Sequence, residues 1–175
     1  MDAGAILTGD VGGTNVRFAL AHADGTGVRL SQVWKRPGPA RYAGFMEALE
    51  SFLEETGARD IAGAALGVAG PVGEGAVRLL HSGWTCDPEA IGARLGGGGA
   101  SVLLANDFMA MARAAPLCAQ GGAKSLSTLS EGVADPGGDC VVGGPGTGFG
   151  LALLRRVRLP GGRPGPDWLV VGGEG

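Results

Sequence analysis

Two glycine-rich segments and one amide–acid pair carry the residue types that could do chemistry in this chain. The first segment is Gly9-Asp10-Val11-Gly12-Gly13-Thr14-Asn15. Glycines at 12 and 13 permit positive φ and let a ligand approach the backbone closely. Successive main-chain N–H groups in such a turn form a concavity suited to an anion. Thr14 and Asn15 add side-chain donors to a phosphate. An acid inside a phosphate loop, here Asp10, makes chemical sense where a divalent metal lies between the two. The same residues also suit an ordinary hairpin turn with a glycine pair.

The second segment is Gly143-Gly144-Pro145-Gly146-Thr147-Gly148-Phe149-Gly150. It lacks the Lys-Ser/Thr of a P-loop, and the chain contains no G-x-G-x-x-G. A P-loop ATPase and a simple dinucleotide-binding fold are therefore disfavoured. Alone it is a glycine-rich loop; two such loops in one chain strengthen the phosphate reading. The pair Asn106-Asp107 falls between a strand pattern and a helix pattern. A carboxylate there can take the proton of a bound hydroxyl while the amide orients that hydroxyl. Either residue also serves as a plain helix cap. Glu174 follows a strand pattern in a glycine-rich turn, with nothing local to single it out. Cys86, Cys118 and Cys140 are odd in number and widely spaced, which suggests neither a disulfide framework nor a zinc site.

The elements that must position these residues are legible from periodicity. Residues 5–8, 16–21 and 28–34 alternate as three strands joined by turns, an antiparallel meander. Phe45, Leu49, Phe52 and Leu53 line one face of a helix that Gly57 ends. Residues 61–69 read as a buried strand and 76–80 as a short one. A turn over His81–Trp84 precedes an Asp87 cap, Pro88 at the first helical position, and a helix to about Leu95. A strand over 101–105 leads to a helix over 108–115, which Pro116 ends. Residues 119–138 are small, polar and glycine-rich, a crossing between domains. Strands over 140–143 and 149–154 flank the second glycine-rich segment, and 168–171 is the last strand.

Composition narrows the class. The chain has 175 residues, 36 of them Gly and 10 Pro, with 45% hydrophobic residues and a formal charge of −3. Its apolar residues fall in discrete runs, so a packed core is expected rather than low complexity. Weak acidity gives no reason to expect nucleic acid or a membrane surface as partner. Few cysteines and an acidic residue at position 2 point to the cytoplasm and no signal peptide.

In this order the segments resemble the bacterial glucokinases of the group outside the repressor-type sugar kinases. Residues Gly9 to Arg17 resemble the family's first phosphate loop, and Ala69-Gly70-Pro71-Val72 its short loop near the sugar cleft. Asn106-Asp107-Phe108 is similar to the sugar-binding and catalytic segment. Residues Gly144 to Gly150 resemble the second phosphate loop, and Gly173-Glu174-Gly175 the start of the Gly-Glu-Gly-Gly-His sugar motif. His81 departs from the family's usual Asn. The later sugar-binding Glu, the adenosine-binding segment and the closing helix have no counterpart before residue 175, so the chain resembles the first half of such an enzyme.

The resemblance implies an α/β, actin-like (ribonuclease H-like) fold, a mixed sheet with flanking helices. Residues 1–117 would form most of a small domain and 118–175 the truncated start of a large one. It implies ATP as phosphoryl donor with Mg²⁺ near Asp10. Asp107 would be the base, and Asn106, Asp107 and Glu174 would bind glucose or a related hexose. Gly9, Asp10, Val11, Gly12, Gly13, Thr14, Asn15, Gly146, Thr147 and Gly148 would hold ATP. The complete enzyme is a possible homodimer. Other readings are a kinase for another hexose or donor, and a truncated chain that only keeps the fold.

Overall fold

Every apolar run in the sequence finds its place as a strand or helix in the computed structural model. It describes residues 4–23, 27–96, 99–117, 127–133, 135, 138–145, 149–157 and 168–173. Contacts divide the chain into two compact units, residues 1–107 and 108–175.

In the first unit β1 (Ala5–Val11), β2 (Asn15–Ala23) and β3 (Val28–Pro37) form the expected antiparallel meander. In β3, Gln32 and Val33 stand opposite the single residue Ala19, and Gln32 takes a left-handed φ of 51°. This bulge re-aims the strand and delivers Trp34 to the buried face, where its ring stacks on Phe18 at 5.6 Å. Helix α1 (Phe45–Thr56) buries Phe45, Ala48, Leu49, Phe52 and Leu53 on that same face. Gly57 ends it at φ 67°, donating its N–H to the Leu53 carbonyl. Phe18, Phe45 and Phe52 are fully buried, and burial of each contributes roughly 1.5–3 kcal/mol. This aromatic layer is the centre of the first core.

Strand β4 (Ile61–Val68) pairs parallel with β1, and β7 (Ser101–Asn106) parallel with β4. The five-stranded sheet therefore runs β3-β2-β1-β4-β7. Between β4 and β7 lie a two-rung hairpin, β5 (Val77–Arg78) with β6 (Thr85–Cys86), and helix α2 (Pro88–Gly96). Asp87 caps α2 as expected, accepting the Glu89 N–H at 3.0 Å. Strand β6 has no periodic signal because two residues carry none, and β5 is shorter than the expected 76–80.

Helix α3 (Asp107–Leu117) starts one residue earlier than expected and holds Pro116 inside its last turn rather than stopping before it. From Phe108 on, the chain belongs to the second unit. There β8 (Cys140–Pro145), β9 (Phe149–Arg156) and β10 (Trp168–Gly173) form an antiparallel sheet of order β10-β9-β8. Gly144 and Pro145, expected in the loop, are strand residues paired with Gly150 and Phe149. Ala112 of α3 is buried with Ala152, Leu154 and Val170, and Phe108, Met109, Val142 and Trp168 pack on them. Residues 119–126, the start of the expected crossing, lie outside the described residues.

Candidate active site

Three adjacent parallel strands end at one level in the first unit. Val11 pairs with Val68, and Val68 with Asn106. Neighbouring strands lie about 4.8 Å apart, so this row is roughly 10 Å wide. In open α/β sheets, ligands bind outside the carboxyl ends of the strands. Here those ends release the turn at Gly12–Thr14, the segment Ala69–Pro71, and the pair Asn106-Asp107.

The first turn is pinned from three sides. Gly12 donates its N–H to the Asn15 carbonyl at 3.0 Å, Gly38 donates to Thr14 at 2.9 Å, and Ala69 donates to Val11 at 3.1 Å. Gly38 sits on buried Trp84: a Cβ there would fall 3.3 Å from the indole ring. The described glycines with left-handed φ are Gly57, Gly75 and Gly83. Gly12 does not use the positive φ that glycine permits there. A Cβ at Gly12 would meet only the Asn15 carbonyl, at 3.4 Å, so space lies open over it. Gly9 is different. It lies within β1, where a Cβ would meet Phe18 at 2.8 Å, the Arg17 carbonyl at 2.9 Å and Leu66 at 3.0 Å. Packing requires that glycine. Val11 is fully buried and its carbonyl accepts from Ala69.

Asp10 stands opposite Arg17 in the β1–β2 register, and the half-exposed Arg17 guanidinium pairs with its carboxylate. Cross-strand spacing could have found this pair from sequence once the hairpin register was known. Among the described residues no group of three His, Cys, Asp or Glu side chains could hold a metal. A single half-exposed carboxylate beside the turn suits a hydrated divalent ion, which keeps several waters and takes one or two protein carboxylates.

Asn106 ends β7 and donates its side-chain N–H to the Gly70 carbonyl at 3.4 Å. Asp107 is the first residue of α3 and partly exposed. The Gly70 segment is fixed in turn by the hairpin below it. Leu80 donates its N–H to the Ala69 carbonyl at 3.5 Å, and a Cβ on Gly70 would lie 3.3 Å from the Arg78 carbonyl. Cys86 is buried there, and desolvation pushes its thiol up to about 12, which makes it a core residue and not a nucleophile.

Residues Asp10–Asn15 and Asn106-Asp107 thus lie at the same end of the sheet, with β4 between their strands. Gly146, Thr147, Gly148 and Glu174 lie outside the described residues. The glucokinase family profile matches residues 7–174. The chain belongs to the glucokinase family. It is 39% identical to the glucokinase of Caulobacter vibrioides over 151 residues, 86% of this chain and 44% of that one. A crystal structure of glucokinase from an Antarctic psychrotroph shares its fold with a TM-score of 0.72 at 30% identity, over 99% of this chain and 51% of that one. A ROK family glucokinase from Streptomyces griseus, solved in complex with glucose and AMPPNP, has a TM-score of 0.57 at 21% identity, over 89% and 47%, and shows the fold alone. The chain spans about half the length of the curated relatives it matches. The mixed α/β fold with its mixed sheet is the one expected from the resemblance.

Proposed function

We propose that this chain supplies the acceptor-binding edge and the first phosphate loop of an ATP-dependent glucose 6-phosphotransferase. The observation that carries the reading is the shared level of Val11, Val68 and Asn106, which sets the Asp10–Asn15 turn and the Asn106-Asp107 pair along one row of strand ends. A phosphate turn and a hydroxyl-orienting acid on one rigid edge is what phosphoryl transfer needs, because alignment and charge neutralisation dominate that reaction.

In this reading Asn106 and Asp107 hold the sugar, with Glu174 on another hydroxyl. Asp107 takes the proton of the 6-hydroxyl as its oxygen bonds to the γ-phosphorus, and ADP leaves with the bridging oxygen. Backbone N–H groups of Gly13 and Thr14, with Thr14 and Asn15 side chains, hold phosphate oxygens, and Gly146, Thr147 and Gly148 hold others. Mg²⁺ beside Asp10 supplies charge neutralisation for the phosphates. The small domain is then the unit over residues 1–107 and the large one begins at 108, ten residues before the division expected from sequence, in a cytoplasmic enzyme with a homodimer as its candidate assembly.

The test is a coupled assay of the purified complete gene product with glucose and ATP, with the sugar product identified. ATP-dependent formation of glucose 6-phosphate is expected. Absence of turnover with glucose, or turnover with another donor only, overturns the reading.

A further inference from the structure

The ring of Trp84 lies under the backbone that holds the first turn in place. Trp84 follows Gly83, which takes a left-handed φ of 69°. It donates its main-chain N–H to the Ser82 hydroxyl at 3.2 Å, and its carbonyl accepts the Leu79 N–H at 2.8 Å. The loop between β5 and β6 is closed by these bonds, and the indole is delivered into the first core, 4% exposed. Its outer edge, at Cη2, is the nearest atom to a Cβ built on Gly38, 3.3 Å away. The same Cβ would lie 3.6 Å from the Asn15 carbonyl carbon and 3.7 Å from the Thr14 carbonyl oxygen. Gly38 is buried and donates its N–H to that oxygen at 2.9 Å. Its own carbonyl accepts the Arg41 and Tyr42 N–H groups at 2.9 and 3.0 Å. No left-handed φ calls for glycine at 38; the close approach of indole and backbone does.

The neighbouring Ala69–Pro71 segment is held in another way, by main-chain bonds from Ala69 to Val11 and from Leu80 to Ala69. Asn106 reaches the same segment at the Gly70 carbonyl. We propose that Trp84 is a positioning residue for the nucleotide. Its ring seats Gly38, and Gly38 fixes the Thr14–Asn15 peptide, with which the phosphate turn ends. Buried beneath that backbone, the ring acts through Gly38 and not on the phosphates themselves. Its loss loosens the turn and leaves the Asn106 end of the row in place. This inference rests on the proposed phosphotransferase reading.

The test uses the complete gene product with Trp84→Phe, Gly38→Ala and the double variant Gly38→Ala/Trp84→Phe. Phenylalanine keeps a flat apolar ring and withdraws the outer edge of the indole from Gly38. The alanine methyl presses on that edge from the other side. A misplacement of about 1 Å costs up to about 10²-fold and these changes are smaller, so kcat/KM for ATP is expected to fall about tenfold in each single variant while KM for glucose changes less than about threefold. In the double variant the methyl enters the space the indole edge has left, and kcat/KM for ATP is expected to return to within about threefold of wild type. Trimming a core ring also lowers the melting temperature, so the split between ATP and glucose is the readout that a merely structural role would not produce. If Trp84→Phe does not fold, Gly38→Ala, which leaves the indole intact, is expected to show the same split alone. Unchanged ATP kinetics in the folded variants, equal losses for ATP and glucose, or additive effects in the double variant overturn the inference. A wild type without glucose phosphorylation overturns the underlying reading instead.

Discussion

Gly9→Ala and Gly12→Ala, three residues apart in one motif, are expected to fail in different ways. At Gly9 the added methyl would lie 2.8 Å from Phe18, 2.9 Å from the Arg17 carbonyl and 3.0 Å from Leu66, where unstrained contact needs roughly 3.5–4.0 Å. The Arg17 carbonyl belongs to a continuous β1–β2 register and Phe18 to the aromatic core, so neither yields freely. Overpacking costs about 1–3 kcal/mol, and three contacts at or below 3.0 Å put this site at the upper end; with about 0.4–1 kcal/mol returned by the stiffer unfolded chain, the net loss is about 2 kcal/mol. For a unit of this size that is a fall of about 5–15 °C in melting temperature. At Gly12 the methyl meets one carbonyl at 3.4 Å, so stability is expected to stay within about 0.5 kcal/mol. There the methyl occupies the concavity instead. By displacing a phosphate oxygen from one backbone donor at Gly13 or Thr14, a charge-assisted bond of about 1.5–3 kcal/mol, it raises KM for ATP tenfold or more. Thermal melts and ATP titrations of both variants in the complete gene product check this. Equal melting of Gly9→Ala and wild type, or unchanged ATP kinetics in Gly12→Ala, would refute the division between a packing glycine and a binding glycine.

Two further outcomes follow from the same structure. The Trp34 indole N–H at 2.9 Å, with Ser51 and Arg36, holds the Glu55 carboxyl below its usual range. A depressed carboxyl stabilises at neutral pH and loses that contribution as pH falls through its folded value, so acid titration of wild type should lose stability more steeply than Glu55→Gln. The second-sheet face bearing Val141, Leu151, Leu169 and Val171 is exposed, so the isolated 175-residue chain is expected to self-associate in light scattering, and Val171→Lys to reduce that association; a monodisperse monomer contradicts this.

The strongly periodic elements were legible in the residues. The α1 stripe, the Gly57 stop and the Asp87-Pro88 start each rest on local chemistry, and each was found where expected. What escaped depends on contacts remote in sequence. Trp34 and Glu55 are 21 residues apart, and nothing near either announces the other. The two-residue strand β6 exists because β5 pairs with it. Glycines in the two loop motifs looked alike, although Gly9 and Gly150 serve packing and Gly12 stands open. The candidate site was readable as residue types at strand ends; the register that sets Val11, Val68 and Asn106 level was not, because parallel pairing across long connections leaves no local signal.

The most direct test of the central claim is Asp107→Asn in the complete gene product, with turnover and ATP binding measured side by side. A general base supplies roughly 10²–10⁴-fold, so kcat with glucose is expected to fall by that factor while the Kd for ATP stays within about twofold. Near-normal turnover in Asp107→Asn would contradict the account and remove the acid at the end of β7 from the chemistry.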